Sequence, residues 1–212
     1  STPMPARALP SALKAKPDDL RAALLAAQLY RANRQPDQAR PLLELILTTS
    51  KDTEMIRDAA RQLALILAQQ RQLDAFLAQA EAELAQKPGD VVARWKVIEG
   101  YAASNKPQEA IAKMKALLAQ TPLDKTLLVR LAQAYASNGQ LAESLKLLDE
   151  KLKKNPDSQI LLEGVPEVYL RANRPGEAIK HYETLLAKST DERRKAFYRS
   201  RIDRIQQSKT GA

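Results

Sequence analysis

Four tyrosine-bearing stretches of this 212-residue chain can be superimposed on one another. They read YRANRQPDQA from Tyr30, YAASNKPQEA from Tyr101, YASNGQLAES from Tyr135 and YLRANRPGEA from Tyr169. The last three tyrosines lie 34 residues apart, and Tyr30 precedes Tyr101 by two such steps plus three residues. Pro88, Pro122 and Pro156 recur at the same interval, and Pro17 stands 71 residues before Pro88, the offset of the first two tyrosines. A period of this size is the signature of stacked supersecondary units, none of which can bury its apolar side alone. It constrains the fold before any propensity argument begins.

The units are expected to be helical. The chain is rich in Ala, Leu, Gln, Lys and Arg, with only 6 Gly and 4% aromatic residues, a composition that favours helix. No stretch alternates polar and apolar residues over a strand's length, and no apolar run reaches the ~18–20 residues that span a bilayer. There is no cysteine, which removes disulfides, thiolate metal sites and thiol chemistry. The expected setting is soluble, in periplasm or cytoplasm, with a lean to the periplasm. The net charge of +9 is unevenly spread. From Asp191 onward, seven basic residues face three acidic ones and supply +4 of it, which leaves a mild positive bias elsewhere and no basic stripe.

The segment 125–158 shows the plan of one unit. KTLLVRLAQAYASN places Leu128, Leu131, Ala132 and Tyr135 on one helical face. Asn138-Gly139 ends that helix, the glycine taking a left-handed conformation. QLAESLKLLDEKLKKN then carries Leu141, Ser144, Leu145, Leu148 and Leu152 on its inner face, with Lys151, Lys153 and Lys154 in the last turn, where the helix dipole favours cations. Asn155-Pro156-Asp157-Ser158 breaks the chain and caps the next helix.

The same plan fits residues 20–53, 54–90, 91–124 and 159–192, so the array covers 17–192. Small residues mark one slot on the first helix (Ala27, Ala64, Ala132) and one on the second (Ala39, Ala110, Ser144, Ala178), where two backbones approach. A larger residue follows the second slot by four places (Leu43, Met114, Leu148, Tyr182). The segment 54–90 departs most: Leu67 replaces the tyrosine, Phe76 occupies the small slot, and its first helix is expected to be about one turn longer. Pro166 falls inside a first helix, removes the bond to the Leu162 carbonyl and is expected to kink it. Residues 193–208 read as a closing helix, with Ser189 and Glu192 as a capping box, Tyr198, Ile202 and Ile205 on one face, and a tail at 209–212. Residues 1–16 read as an N-terminal cap or a truncated repeat.

The period, the small–Tyr–turn–small–large order and the boundary prolines resemble the tetratricopeptide repeat family. The resemblance implies an all-α, right-handed superhelix of antiparallel helix hairpins, whose concave face is lined by first helices. It also implies a non-enzymatic scaffold that binds a protein or peptide partner in that groove. RNA-reading repeats of similar length use a recurring polar pair to code each base, and none recurs here. The lysine and asparagine pair with which some members clamp a chaperone's terminal carboxylate is also missing: Leu24 and Gln28, then Trp95 and Glu99, stand at the corresponding places.

Helix phase assigns to the groove Arg21, Gln28, Arg31, Arg61, Gln62, Trp95, Lys96, Glu99, Arg130, Gln133, Glu163 and Glu167. Trp95, the single tryptophan, sits one residue off the apolar slots and has the makeup of an interface hot spot. The groove's centre reads basic and its last repeat acidic. Arg193, Arg194, Arg201 and Arg204 on the closing helix offer a second, basic docking surface for an acidic partner.

No catalytic constellation, cofactor motif or metal-ligand spacing appears. His181 stands alone, and a lone histidine without cysteine builds no ordinary zinc site. The leading expectation is a scaffold in a bacterial assembly or export system, monomeric or weakly self-associating. Two alternatives are an acidic polysaccharide or RNA held by the basic surface, and self-association through the array ends.

Overall fold

The computed structural model describes residues 19–210, and side chains through residue 208. The expectations for residues 1–16 lie outside the described residues, as do positions 17 and 18 of the array and positions 211 and 212 of the tail. Among the described residues there are eleven helices and no strand. In chain order they are α1 (Leu20–Ala32), α2 (Pro36–Thr49), α3 (Thr53–Gln69), α4 (Leu73–Gln86), α5 (Val91–Ala103), α6 (Pro107–Gln120), α7 (Lys125–Ser137), α8 (Leu141–Lys154), α9 (Gln159–Arg171), α10 (Pro175–Lys188) and α11 (Glu192–Thr210). They form two compact units that divide after Lys106. In the first, α1 pairs with α2, α4 packs on α5, and α3 packs on α5. In the second, α7 pairs with α8 and α9 with α10, the first helices α7 and α9 pack together, and α11 closes on α10.

Local chemistry fixes both kinds of turn. At four hairpin turns the chain ends its first helix in the same double hydrogen bond. The amides of Gln35, Gln72, Gln140 and Arg174 donate to the carbonyls of Tyr30, Leu67, Tyr135 and Tyr169 at 2.8, 2.8, 2.9 and 2.8 Å. The residue before each donor is left-handed: Arg34 (φ 58), Arg71 (φ 59), Gly139 (φ 78) and Asn173 (φ 55). This is the Schellman closure, and it aligns Leu67 with the three tyrosines. The third turn differs: Ser104 is extended (φ −74, ψ 155) and its hydroxyl donates to the Tyr101 carbonyl.

Between repeats an aspartate caps the next helix. Asp19, Asp52, Asp90 and Asp124 accept from the amides of Ala22, Glu54 and Met55, Ala93, and Leu127. Ser158 takes the corresponding place without a side-chain cap bond. The cap of α11 is also an aspartate, and here the sequence expectation is corrected. Asp191 Oδ1 accepts from the amides of Arg193 and Arg194, while Ser189 Oγ accepts from Asp191. The helix begins at Glu192, so the cap position falls on Asp191 and not on Ser189, and the Ser189 amide that a box with Glu192 would use donates instead to the Leu185 carbonyl.

The core is the meeting of small and large slots. Ala27, Ala39, Ala64, Ala110, Ala132 and Ala178 are buried, as are Leu43, Met114, Leu148 and Tyr182. In the fourth hairpin the two small slots touch: the Ser144 hydroxyl donates to the Ala132 carbonyl at 2.5 Å, with both residues buried. α3 runs 17 residues against 13 for the other first helices, the expected extra turn. α9 is continuous from Gln159 to Arg171 with Pro166 buried inside it.

Two glycines do work that composition alone conceals. A Cβ on Gly100 would lie 2.6 Å from Leu77 Cδ2, and one on Gly164 would lie 2.8 Å from Val129 Cγ2. Both are buried within helices, where glycine costs about 1 kcal/mol relative to alanine. Close helix approach offsets that cost.

Candidate functional site

The first helices do not expose all the residues that helix phase assigns to a groove. In the first unit Arg21, Gln28, Arg31 and Arg61 are exposed, and Arg61 pairs with Asp58 one turn earlier. Leu25 and Leu65 lie among them, 47% and 38% exposed. On α1 the order Arg21, Leu25, Gln28 and on α3 the order Arg61, Leu65, Gln69 each run along one helix stripe. These two leucines were missed in the sequence, because a leucine in a helical pattern reads as core by default.

Trp95, Gln62 and Glu99 are corrected: each is 1% exposed. The reason is that α5 is covered on more than one side, by α3 and by α4. Its buried set, Ala93, Trp95, Val97, Ile98, Glu99 and Gly100, is far wider than one stripe. Neither amide atom of Gln62, nor the Trp95 indole nitrogen, has a hydrogen-bond partner among the described residues. Lys96 is half-buried, donates to Glu83 Oε2 at 2.6 Å and lies 5.5 Å over the Phe76 ring. It is held by α4 and not extended into solvent.

In the second unit Arg130 and Gln133 are half-buried and bonded to each other at 2.8 Å. Glu163 and Glu167, the expected acidic end of the groove, are taken up by neighbouring helices. Glu163 Oε1 accepts from Tyr198 Oη at 2.8 Å and from Gln159 Nε2 at 2.7 Å. Glu167 Oε1 accepts from the Tyr182 hydroxyl and from Arg201 Nη2. Tyr182 and Tyr198 are 1% exposed and their rings lie 6.0 Å apart. Desolvation, followed by the adjacent carboxylate, pushes both phenols well above the ordinary tyrosine range.

This network also corrects the basic docking surface. Arg201 is engaged by Glu167 and Tyr182. Arg194 bonds Gln159 at 3.3 Å and lies 3.8 Å from Asp191. Arg193 and Arg204 are exposed, and between them stands Phe197, 47% exposed and absent from the sequence expectation.

His181 stacks on Tyr169 with ring centroids 5.2 Å apart, and desolvation lowers its pKa. It lines a cleft of about 590 Å³ with Leu162, Leu185 and Lys188. No group of three or more His, Cys, Asp or Glu with metal-holding geometry occurs among the described residues. No helix among them is long and apolar enough to cross a membrane.

Comparison with known proteins bears on the fold. Residues 101–163 match the family model of the tetratricopeptide repeat. Among solved structures, a thermophilic repeat protein of that family from Thermus thermophilus is 19% identical, with a TM-score of 0.50, covering 86% of this chain and 98% of its own. The repeat domain of P58(IPK) is 17% identical with a TM-score of 0.36, covering 94% of this chain and 58% of its own. No curated protein matches the sequence.

Proposed function

We propose that this chain, an array of about five tetratricopeptide repeats closed by a terminal helix, is a protein-interaction scaffold that takes a partner segment on the open faces of its first helices. The family is generally non-catalytic, and its repeats serve as protein-binding platforms. The observation that carries the reading is that exposed Leu25 and Leu65 each follow an exposed arginine, Arg21 and Arg61, by one turn on α1 and α3. Exposed leucines each preceded one turn earlier by an arginine favour a partner segment with its own apolar side chains, and Arg61 is already paired with Asp58 on the same stripe, so apolar contact and not charge sets the preference. An assembly or export system is a setting in which such a platform works.

The test is partner capture by the intact chain and by a Leu25→Glu, Leu65→Glu variant, quantified by cross-linking and mass spectrometry. Leu25 and Leu65 are 47% and 38% exposed, and circular dichroism of the variant should match the parent helicity before the comparison is read. Partners recovered by the intact chain should be lost with the variant; equal recovery removes α1 and α3 as the site.

The net charge of +9 favours a second reading, an acidic polysaccharide or RNA bound at the surface. Several basic side chains are paired locally, as in Arg40–Glu44, Lys96–Glu83, Lys153–Asp149, Arg174–Glu177 and Arg201–Glu167, and those pairs add no net charge to such a surface. Binding of such a polymer should fall steeply with added salt, and no retention on an RNA or alginate matrix at low salt would end this reading.

A further inference from the structure

α11 buries Tyr198, Ile202 and Ile205 and turns a different stripe outward. Arg193, Phe197, Ser200 and Arg204 follow one another at i, i+4, i+7 and i+11, and all four are exposed. At about 100° per residue, Arg193 and Arg204 fall within about 40° of Phe197 around the helix axis, while Glu192 and Asp203 fall about 120–140° away. The stripe therefore carries no acidic residue. Glu192 is engaged by Lys195 at 2.7 Å. Among the described residues neither Arg193 nor Arg204 has an ion-pair partner, whereas Arg194 and Arg201 are paired beside them. The Phe197 ring is braced edge-on against buried Tyr198, with centroids 5.7 Å apart at 66°. It is exposed yet held.

We propose that this stripe is a second docking surface, separate from the first-helix faces. Its ligand is an acidic polypeptide segment with a bulky apolar side chain, Phe197 being the anchor and Arg193 and Arg204 the charge partners. An exposed aromatic ring flanked by arginines is the composition of an interface hot spot, and the uncompensated positive stripe selects negative partners. A second copy of the chain is disfavoured, since apposing the same stripe sets arginine against arginine. A membrane surface calls for a broad apolar face, and this stripe has one ring. Single-stranded nucleic acid calls for a tracked backbone and several stacking platforms, and here two unpaired arginines flank a single ring.

The experiment is fluorescence anisotropy with a labelled sixteen-residue synthetic peptide of glutamates and spaced leucines, and with its leucine-to-serine counterpart. Vesicles containing phosphatidylserine and a single-stranded oligonucleotide are run in parallel. The intact chain should bind the leucine peptide more tightly than the serine one. Arg193→Glu with Arg204→Glu should weaken binding about 10-fold or more, and Phe197→Ala about 5-fold, since all three side chains lie outside the core. On a Leu25→Glu, Leu65→Glu background, which disables the first-helix faces, the leucine peptide should still bind and the same α11 changes should still weaken it. Failure of that variant with full binding by the α11 variants would move the peptide to the first-helix faces and overturn this proposal while sparing the other. No peptide binding, or capture of vesicles or oligonucleotide in its place, also overturns it.

Discussion

The junction between the last repeat and α11 rests on a small polar network, and Glu167→Ala is the change that isolates it. The substitution removes the acceptor shared by the Tyr182 hydroxyl and the Arg201 guanidinium. Tyr182 is 1% exposed, so loss of its hydroxyl's carboxylate acceptor should cost about 1–3 kcal/mol. Arg201 and Glu167 side chains are each 29% exposed, so the ion pair adds no more than about 1 kcal/mol after solvent screening. The sum is about 1–4 kcal/mol. In a stacked array each unit touches only its neighbours, so the loss should appear as local opening and not as uniform softening. Hydrogen exchange followed by mass spectrometry should show amides of residues 192–208 exchanging about 5-fold faster or more, since about 1.4 kcal/mol is tenfold, with α7 unchanged. Tyr182→Phe alone should cost about 1 kcal/mol. The double variant should cost less than the two singles together, by about 1 kcal/mol of coupling. Strictly additive losses, or acceleration spread evenly over α7 to α11, would show that this carboxylate does not hold the terminal helix.

Two further outcomes follow from the turns and the phenols. Gly139→Ala meets no atom within 4 Å of the added Cβ, so its effect is purely conformational: a loss of about 1 kcal/mol at φ 78, read from urea melts. Arg71→Gly, at φ 59 in the same turn type, should be neutral or stabilising by about 0.5 kcal/mol, because relief of left-handed strain outweighs the added chain entropy. For Tyr182 and Tyr198 the folded-state pKa lies above the unfolded value of about 10. Their contribution to stability is therefore complete below about pH 10 and is lost as pH rises toward the raised values. Phenolate absorbance should show two of the six tyrosines titrating later than the rest, and Tyr198→Phe should remove one of them.

Most of the fold was legible because its determinants are local. A Schellman turn needs one residue that tolerates left-handed φ and a short run of helix before it, and the aligned tyrosines report where that run ends. Leu67, read from residues alone as standing at the tyrosine position, accepts the same turn hydrogen bond as Tyr135. The small and large slots were legible for the same reason. Backbone approach at Ala132 and Ser144 is set by neighbours within one hairpin, twelve residues apart. Gly100 and Gly164 could have been flagged: a glycine in the middle of a helical pattern signals close approach.

The candidate site was legible only in part. Helix phase gives the direction of a side chain from its own axis, but not how many other helices cover that direction. Trp95 points off the apolar slots in sequence and is nonetheless buried, because α5 is enclosed by two neighbours. Glu163 and Glu167 carry the spacing of an acidic groove end, yet their partners Tyr198 and Arg201 stand 35 and 34 residues further on. The sequence by itself determined the repeat, its turns and its helical register, all consequences of contacts within one unit. The tertiary structure decided which polar side chains face solvent and which serve as internal ties, since solvent access depends on the stacking of one unit upon the next.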